Sequence, residues 1–227
     1  MDDIANNLTE IKKRIALYEE RYQRARGSVS LLAASKKQPL EKIVAAVQAG
    51  QRCFGESYLQ EALPKMAALS SYPIEWHFIG PIQSNKTRKI AEYFSWVHSV
   101  ADIKIAKRLN DQRPSHLPPL NICLEVNVSQ EISKSGVPPQ QILTLIEECA
   151  QLPNLSLRGL MAIPAPAPTL AQQRQVFHQL FLLYQRLRSP FHLNTLSMGM
   201  SDDFEAAIAE GATIIRIGTA IFGERTK

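Results

Sequence analysis

The stretch SLLAASKKQPLEK, residues 30–42, compresses one strand-to-helix unit into a few turns of chain. A short apolar run, Leu31 to Ala34, ends at Ser35 and two adjacent lysines, Lys36 and Lys37. Pro39 then sits at the start of a helical pattern, where proline is tolerated, and Gly50 follows its end. A strand rarely runs straight into paired lysines unless its end faces water or one of the amines has a task.

The rest of the chain repeats this unit. Short apolar runs recur at 30–35, 52–54, 74–79, 95–98, 120–128, 155–162, 193–197 and 213–217. Helical patterns fill the gaps at 39–49, 57–69, 85–93, 102–110, 138–151, 169–187 and 202–210. Before the first run, residues 2–26 place Ile4, Leu8, Ile11, Ile15 and Tyr18 at three- and four-residue steps, an amphipathic helix stopped by Gly27. Eight strands separated by seven helices is the count of an α/β protein of the (β/α)8 TIM-barrel type, here one domain over residues 1–227 with no C-terminal β-domain. One helix is missing at the end, and the extra N-terminal helix is placed to cover that gap. An open doubly wound sheet is the alternative, because alternation alone does not distinguish closed from open. The run Pro164-Ala165-Pro166-Ala167-Pro168 reads as a strand-to-helix loop, since too little chain follows it for a second domain.

Composition narrows the function classes. The chain has 227 residues, 45% hydrophobic and 21% charged, enough for one sizeable core. The opening MDDIANNLTEIKKRI is acidic and helical with no apolar signal core, and no run approaches the ~18 apolar residues of a membrane span, so no membrane partner is expected. Cys53, Cys123 and Cys149 are odd in number and widely spaced, as suits reduced thiols in a cytoplasm. Neither CxxC nor HExxH occurs and the histidines are scattered, so no metal site is expected. The net charge of +5 fits either nucleic acid or a small anionic ligand. The densest basic stretch, Lys86-Thr87-Arg88-Lys89, is followed by Tyr93, Phe94 and Trp96 without the pattern of a stacking platform. It reads as a solvated helix face, and no nucleic-acid partner is expected.

In a barrel of this kind the carboxyl ends of all strands open on one face, where sites are built. Lys36 follows the first strand, Gly55-Glu56-Ser57-Tyr58 the second, and His77, Ile79 and Gly80 surround the end of the third. His98 and Ser99 end the fourth, and Asn127 with Ser133-Lys134-Ser135-Gly136 follows the fifth. Ser197-Met198-Gly199-Met200-Ser201 follows the seventh and Arg216-Ile217-Gly218-Thr219 the eighth. The glycines allow close backbone approach, Ser201 and Thr219 supply hydroxyls, and a helix starting near Ser201 adds amides, so these last two loops suit a phosphate. Each pair taken singly also reads as a tight turn. A lysine whose amine enters a barrel mouth is desolvated and becomes a nucleophile toward aldehydes. Alternation puts Leu32, Ala34 and Lys36 on one strand face and Ser35 and Lys37 on the other. Both faces hold small residues, so spacing does not choose between the lysines.

The segments AASKKQP, FGESYLQE, WHFIGPIQSNKTRK, VHSV, EVNVSQEISKSG, LRGLMAIP, LSMGMSDDFEAAI and RIGTAIFG run in order from residue 33 to residue 223. Taken together they resemble the pyridoxal-phosphate homeostasis protein family, related in fold to the barrel domain of fold-type III enzymes such as alanine racemase. The resemblance implies that Lys36 carries pyridoxal 5′-phosphate as a Schiff base, that Ser201, Gly218 and Thr219 hold its phosphate, and that Arg216 reaches the pyridine nitrogen. His77, Asn85 and Met200 also fall at motif positions, as walls of the cofactor pocket or residues behind those walls and not as catalysts. Ser57 stands where the family has asparagine and is shorter. Arg216 also has a plainer reading, a salt bridge to Glu56 or Glu125.

The implied function is binding of pyridoxal phosphate for vitamin B6 homeostasis, buffering it or delivering it to pyridoxal-phosphate-dependent apoenzymes, without robust catalysis. The alternatives are a weak amino-acid racemase, with amino or keto acids as ligands, and an aldolase forming its own lysine imine. Racemases of this fold carry a β-domain after the barrel that supplies an acid/base group and a dimer interface; a chain ending near its last strand is expected to be a weak catalyst and a monomer.

Overall fold

The computed structural model describes residues 3–129 and 135–224, so Ser133 and Lys134 lie outside the described residues. Strands β1 (Ser30–Ala34), β2 (Cys53–Glu56), β3 (Glu75–Phe78), β4 (Trp96–Val100), β5 (Leu120–Glu125), β6 (Leu155–Met161), β7 (Thr195–Ser197) and β8 (Ile214–Ile217) form a closed, all-parallel barrel in sequence order. The ring closes through β1 and β8, with Leu31 beside Ile215 and Ala33 beside Ile217. Closure settles the choice against an open sheet.

The outer ring comprises α2 (Leu40–Gln48), α3 (Leu59–Ala68), α4 (Thr87–Tyr93), α5 (Ile103–Gln112), α6 (Ile142–Cys149), α7 (Leu170–Arg188) and α8 (Phe204–Ala209). The N-terminal helix α1 (Ile4–Arg21) and a last short turn of helix, α9 (Thr219–Phe222), complete it. Asp3 caps α1 by accepting the Asn6 amide at 3.0 Å, and Ile4, Leu8, Ile11, Ile15 and Tyr18 form its buried stripe. Each of those aliphatic side chains contributes about 1.5–3 kcal/mol by leaving water. The stripe packs against α2, α8 and α9, so α1 covers the outside of the ring where β8 meets β1. Polar ties fix it there: the Arg24 guanidinium donates to the Ile208 and Ala212 carbonyls at 3.0 Å, and the Asn7 amide donates to the Ile221 carbonyl at 2.9 Å.

Strand alternation divides the barrel into two environments. Leu31, Ala33, Phe54, Trp76, Phe78, Val97, Ile122, Leu160, Leu196, Ile215 and Ile217 face the helices and belong to one continuous apolar core. The intervening residues face inward, where Leu32, Ile79 and Ile214, with Ala34 and Cys53, make a separate small apolar cluster. Buried polar side chains, His77, His98, Ser197 and Arg216 among them, share the interior with that cluster. On the helix side, Glu56 is fully buried; the Lys65 ammonium of α3 donates to it at 2.8 Å and to the Ser35 carbonyl at 2.9 Å.

The β5–β6 pairing slips by one residue, from Ile122 beside Leu157 to Cys123 beside Gly159. Beyond the slip β6 runs so close to β7 that a Cβ on Gly159 would lie 1.7 Å from the Thr195 carbonyl oxygen. A methyl group there pushes two paired strands apart. Gly159→Ala is expected to cost about 3 kcal/mol of stability, read from the midpoint of urea unfolding; a midpoint equal to the parent's would contradict this account of barrel closure.

Candidate functional site

At the carboxyl ends of β1, β6, β7 and β8 lies a cavity of about 160 Å³ lined by Ala34, Lys36, Ile79, Ile163, Met200, Ser201, Asp202, Arg216, Gly218 and Thr219. A larger hollow of about 410 Å³ lies under α1 at the opposite ends of β1 and β2. The smaller cavity is where a barrel builds sites, and cationic, hydroxyl and glycine groups converge on it.

Lys36 continues the inward alternation of Leu32 and Ala34 and lines the cavity, half-buried. Lys37 leaves it. Its backbone takes a left-handed φ of 59°, its amide donates to the Glu61 carboxylate at 2.9 Å, and its ammonium lies 5.8 Å from the centre of the exposed Tyr58 ring. Of the adjacent lysines, only Lys36 lines the cavity.

The β7–α8 loop depends on Gly199, whose φ of 96° is unfavourable for other residues and whose absent Cβ would meet Ala207 at 2.5 Å. Asp203 does not cap α8; its carboxylate reaches back to the Met200 amide at 2.6 Å and closes the loop. That differs from the expected supply of helix amides, since α8 begins only at Phe204. The loop instead presents Ser201, whose hydroxyl accepts the Ala220 amide at a long 3.4 Å and so joins the β7 and β8 loops. The Ser201 and Thr219 amides bond to no other described residue. At Gly218 a Cβ would come within 3.2 Å of the Ala34 carbonyl oxygen, at the cavity wall. Two side-chain cations, two hydroxyls and two unengaged amides make a donor set suited to a ligand with a phosphate and a second, amine-reactive or acceptor end.

Arg216 rises into the cavity from β8 and is almost wholly buried. Desolvation pulls its pKa down to about 10, opposed by the charges of Asp203 and Glu125, so it remains a cation at neutral pH. Its guanidinium donates to the Ser197 hydroxyl at 2.7 Å and to the Ala162 carbonyl at 3.0 Å. Glu56, the plainer partner read from sequence, is engaged with Lys65 on the other side of the sheet.

Six of the eight expected site residues, Lys36, Met200, Ser201, Arg216, Gly218 and Thr219, therefore share one cavity. Ser57 and His77 do not line it. Ser57 is buried where its backbone abuts Gly80, its hydroxyl has no hydrogen-bond partner among the described residues, and the hollow beside it is shared with Tyr58 and Phe78. His77 lies inside the barrel with both ring nitrogens engaged, Nδ1 at 2.8 Å from His98 Nε2 and Nε2 at 2.9 Å from Glu75 Oε1. Its ring stacks on Trp96. His98 Nδ1 lies 2.8 Å from the Ser197 hydroxyl that receives Arg216. Sequence reading placed His98 and Ser197 at strand ends and gave neither a partner. Cys53, Glu75 and His77 also bring one ligand-type atom each within 4.8 Å of one another.

The chain matches the family described as alanine racemase, N-terminal domain, over residues 2–226. It is 56% identical over 225 residues to the pyridoxal phosphate homeostasis protein of Pseudomonas aeruginosa, covering 99% of this chain and 97% of that one. It is 48% identical over 229 residues to the protein of the same name from Escherichia coli, covering 99% and 98%. Among solved structures, PipY of Synechococcus elongatus with pyridoxal phosphate bound superposes with a TM-score of 0.84 at 35% identity, covering 97% of this chain and all of that one. Alanine racemase of Corynebacterium glutamicum shares the fold, with a TM-score of 0.71 at 16% identity over 62% of its own length.

Burial first, then the neighbouring His77 and Arg216, push the His98 pKa well below the ordinary imidazole range, and burial lowers His77 as well. Both are bases with a folded pKa below the unfolded value of 6.5, so the unfolded chain binds more protons and stability falls as pH falls below that value. Replacing His98 by Gln removes one such proton. Between pH 6.5 and pH 5 the stability slope of His98→Gln is expected to be shallower than the parent's by up to about 1.4 kcal/mol per pH unit. Parallel slopes in unfolding titrations would show His98 charged in the fold.

Proposed function

The chain belongs to the alanine racemase N-terminal-domain family, among its pyridoxal phosphate homeostasis proteins, and from that membership we propose that it binds pyridoxal 5′-phosphate at the barrel mouth and keeps the cell's supply by buffering or delivering it. The observation that carries the reading is the convergence of Lys36, Arg216, Ser201 and Thr219 on one cavity. When bound, the cofactor supplies an aldehyde that combines reversibly with amines and a pyridine ring that takes up electron density.

Each residue then has a role set by its chemistry. Lys36 supplies the amine for the aldehyde. Ser201 and Thr219 offer hydroxyls and amides to the phosphate, and Gly218 leaves the backbone close to it. Arg216 faces the pyridine nitrogen as a donor that does not give up its proton, which leaves that nitrogen unprotonated and the ring a weaker electron sink. Met200, partly exposed at the rim, walls one side. Ser57 and His77 act from behind the walls.

Holding is favoured over turnover by what lines the cavity. No histidine, tyrosine or cysteine is among the described lining residues. A racemase needs an acid/base group on each side of the substrate carbon. The protein then acts as a monomer that hands its cofactor to apoenzymes. The unpaired state of Cys53, Cys123 and Cys149 supports a reducing compartment.

The purified chain mixed with pyridoxal phosphate is expected to turn yellow. After borohydride reduction, peptide mass mapping is expected to find the pyridoxyl group on Lys36. Lys36→Ala should abolish the colour and Lys37→Ala should keep it. A colourless chain would remove the homeostasis reading, a label on Lys37 would move the site out of the cavity, and brisk exchange of the α-hydrogen of added amino acids would favour the racemase.

A further inference from the structure

Four hydrogen bonds run in series from Arg216 through Ser197, His98 and His77 to Glu75, at 2.7, 2.8, 2.8 and 2.9 Å. They cross the barrel interior from the cavity to the first residue of β3. Ser197 and His98 are fully buried and His77 nearly so, whereas the Glu75 side chain is 46% exposed.

The two ends fix the direction of every bond. A guanidinium only donates and a carboxylate only accepts. Glu75 is held below the usual carboxylate range, first by His77 and also by hydrogen bonds from Trp96 and Cys53, so it is ionised at neutral pH. Ser197 takes its hydrogen bond from Arg216 as an acceptor, and its single proton is then available to His98 Nδ1. His98 must carry its proton on Nε2 and give it to His77 Nδ1. His77 must carry its own on Nε2 and give it to Glu75. The reverse order puts a bare His77 Nε2 against a carboxylate 2.9 Å away, and the cationic ring that would repair this is opposed by burial.

We propose that Glu75, His77, His98 and Ser197 form a one-way relay of positioning residues, with both imidazoles neutral and protonated on Nε2, that aims Arg216 at the cofactor's ring nitrogen. One guanidinium nitrogen is committed to Ser197 and another to the Ala162 carbonyl, which leaves the remaining N–H groups for the cavity. No relay member has a spare proton to pass upward, so the nitrogen meets a donor that stays charged. The outer end at Glu75 makes the cofactor's grip depend on a residue on the far side of the barrel interior.

The inference rests on the proposed function for what Arg216 meets, and the two fail separately. In the ¹⁵N-labelled, cofactor-free chain, histidine NMR between pH 6 and 8 should find His77 and His98 neutral, with the proton on Nε2 and Nδ1 bare. A proton on Nδ1 of either ring, or a cationic ring, overturns the relay even if pyridoxal phosphate binds Lys36; relay tautomers in a chain that takes up no cofactor overturn the function alone. In the loaded chain, Glu75→Leu removes the last acceptor and is expected to weaken retention of pyridoxal phosphate about threefold to tenfold and to disturb the His77 tautomer, while Glu75→Gln, whose carbonyl still accepts, stays within about twofold of the parent. Equal retention by the parent and the Leu variant, or equal losses in the Leu and Gln variants, counts against positioning.

Discussion

A guanidinium buried inside a closed barrel is an expensive object, and much of this molecule is arranged around the cost. Arg216 keeps its charge only because hydroxyl, carbonyl and carboxylate groups surround it: Ser197 and Ala162 by hydrogen bond, Asp203 and Glu125 by field. Burial in turn raises the pKa of both carboxyls, and the field of Arg216 holds that rise in check. The barrel interior around it is rich in polar groups, with one small apolar cluster around Leu32, Ile79 and Ile214. Apolar stabilisation has moved outward, to the continuous layer between strands and helices. That displacement frees the barrel centre for a charged site.

The architecture was legible because its signals are local. Strands such as Leu31–Ala34 and Ile214–Ile217 are short apolar runs punctuated by glycine, proline or polar residues, and the stripe Ile4, Leu8, Ile11, Ile15 announces a helix without reference to anything else. The role of α1 was also readable, since eight strands with seven intervening helices leave one gap and the N-terminal helix was the one unassigned element. Closure itself was not readable. It resides in the β1–β8 pairing between residues nearly the whole chain apart, and alternation is the same in an open sheet.

The site was legible in part and for a different reason. Lys36 and Lys37 are chemically alike and adjacent, so nothing in the sequence separates them; the structure does so through one left-handed residue, Lys37, which turns its side chain out over Tyr58. Gly199, Ser201, Gly218 and Thr219 could be gathered because they follow two neighbouring strands. His77 was placed near the cofactor on motif position, yet both its nitrogens are spent within the barrel. The link His98–Ser197 joins residues 99 apart in sequence, and no periodicity or spacing rule foresees a contact of that kind. Its one sequence signal was that His98 and Ser197 stood at strand ends, on the face where sites are built.

These features favour holding a cofactor over using it. Carbanion chemistry is helped by an acidic partner that lets the ring nitrogen take a proton, and this barrel offers a donor whose pKa, even after burial, stays near 10. Behind Ser197 stand two imidazoles kept neutral by burial, and their hydrogen bonds run away from the cavity toward Glu75. The cavity itself is small, about 160 Å³, and its rim includes the exposed Met200 and Ile163. As proposed, a site with one nucleophilic amine, a cation at the ring nitrogen and an open rim would hold a reactive aldehyde by the same reversible bond that releases it to an incoming amine. In that reading selectivity comes from Ser201, Thr219 and Arg216, and restraint from the lack of a histidine, tyrosine or cysteine among the described lining residues.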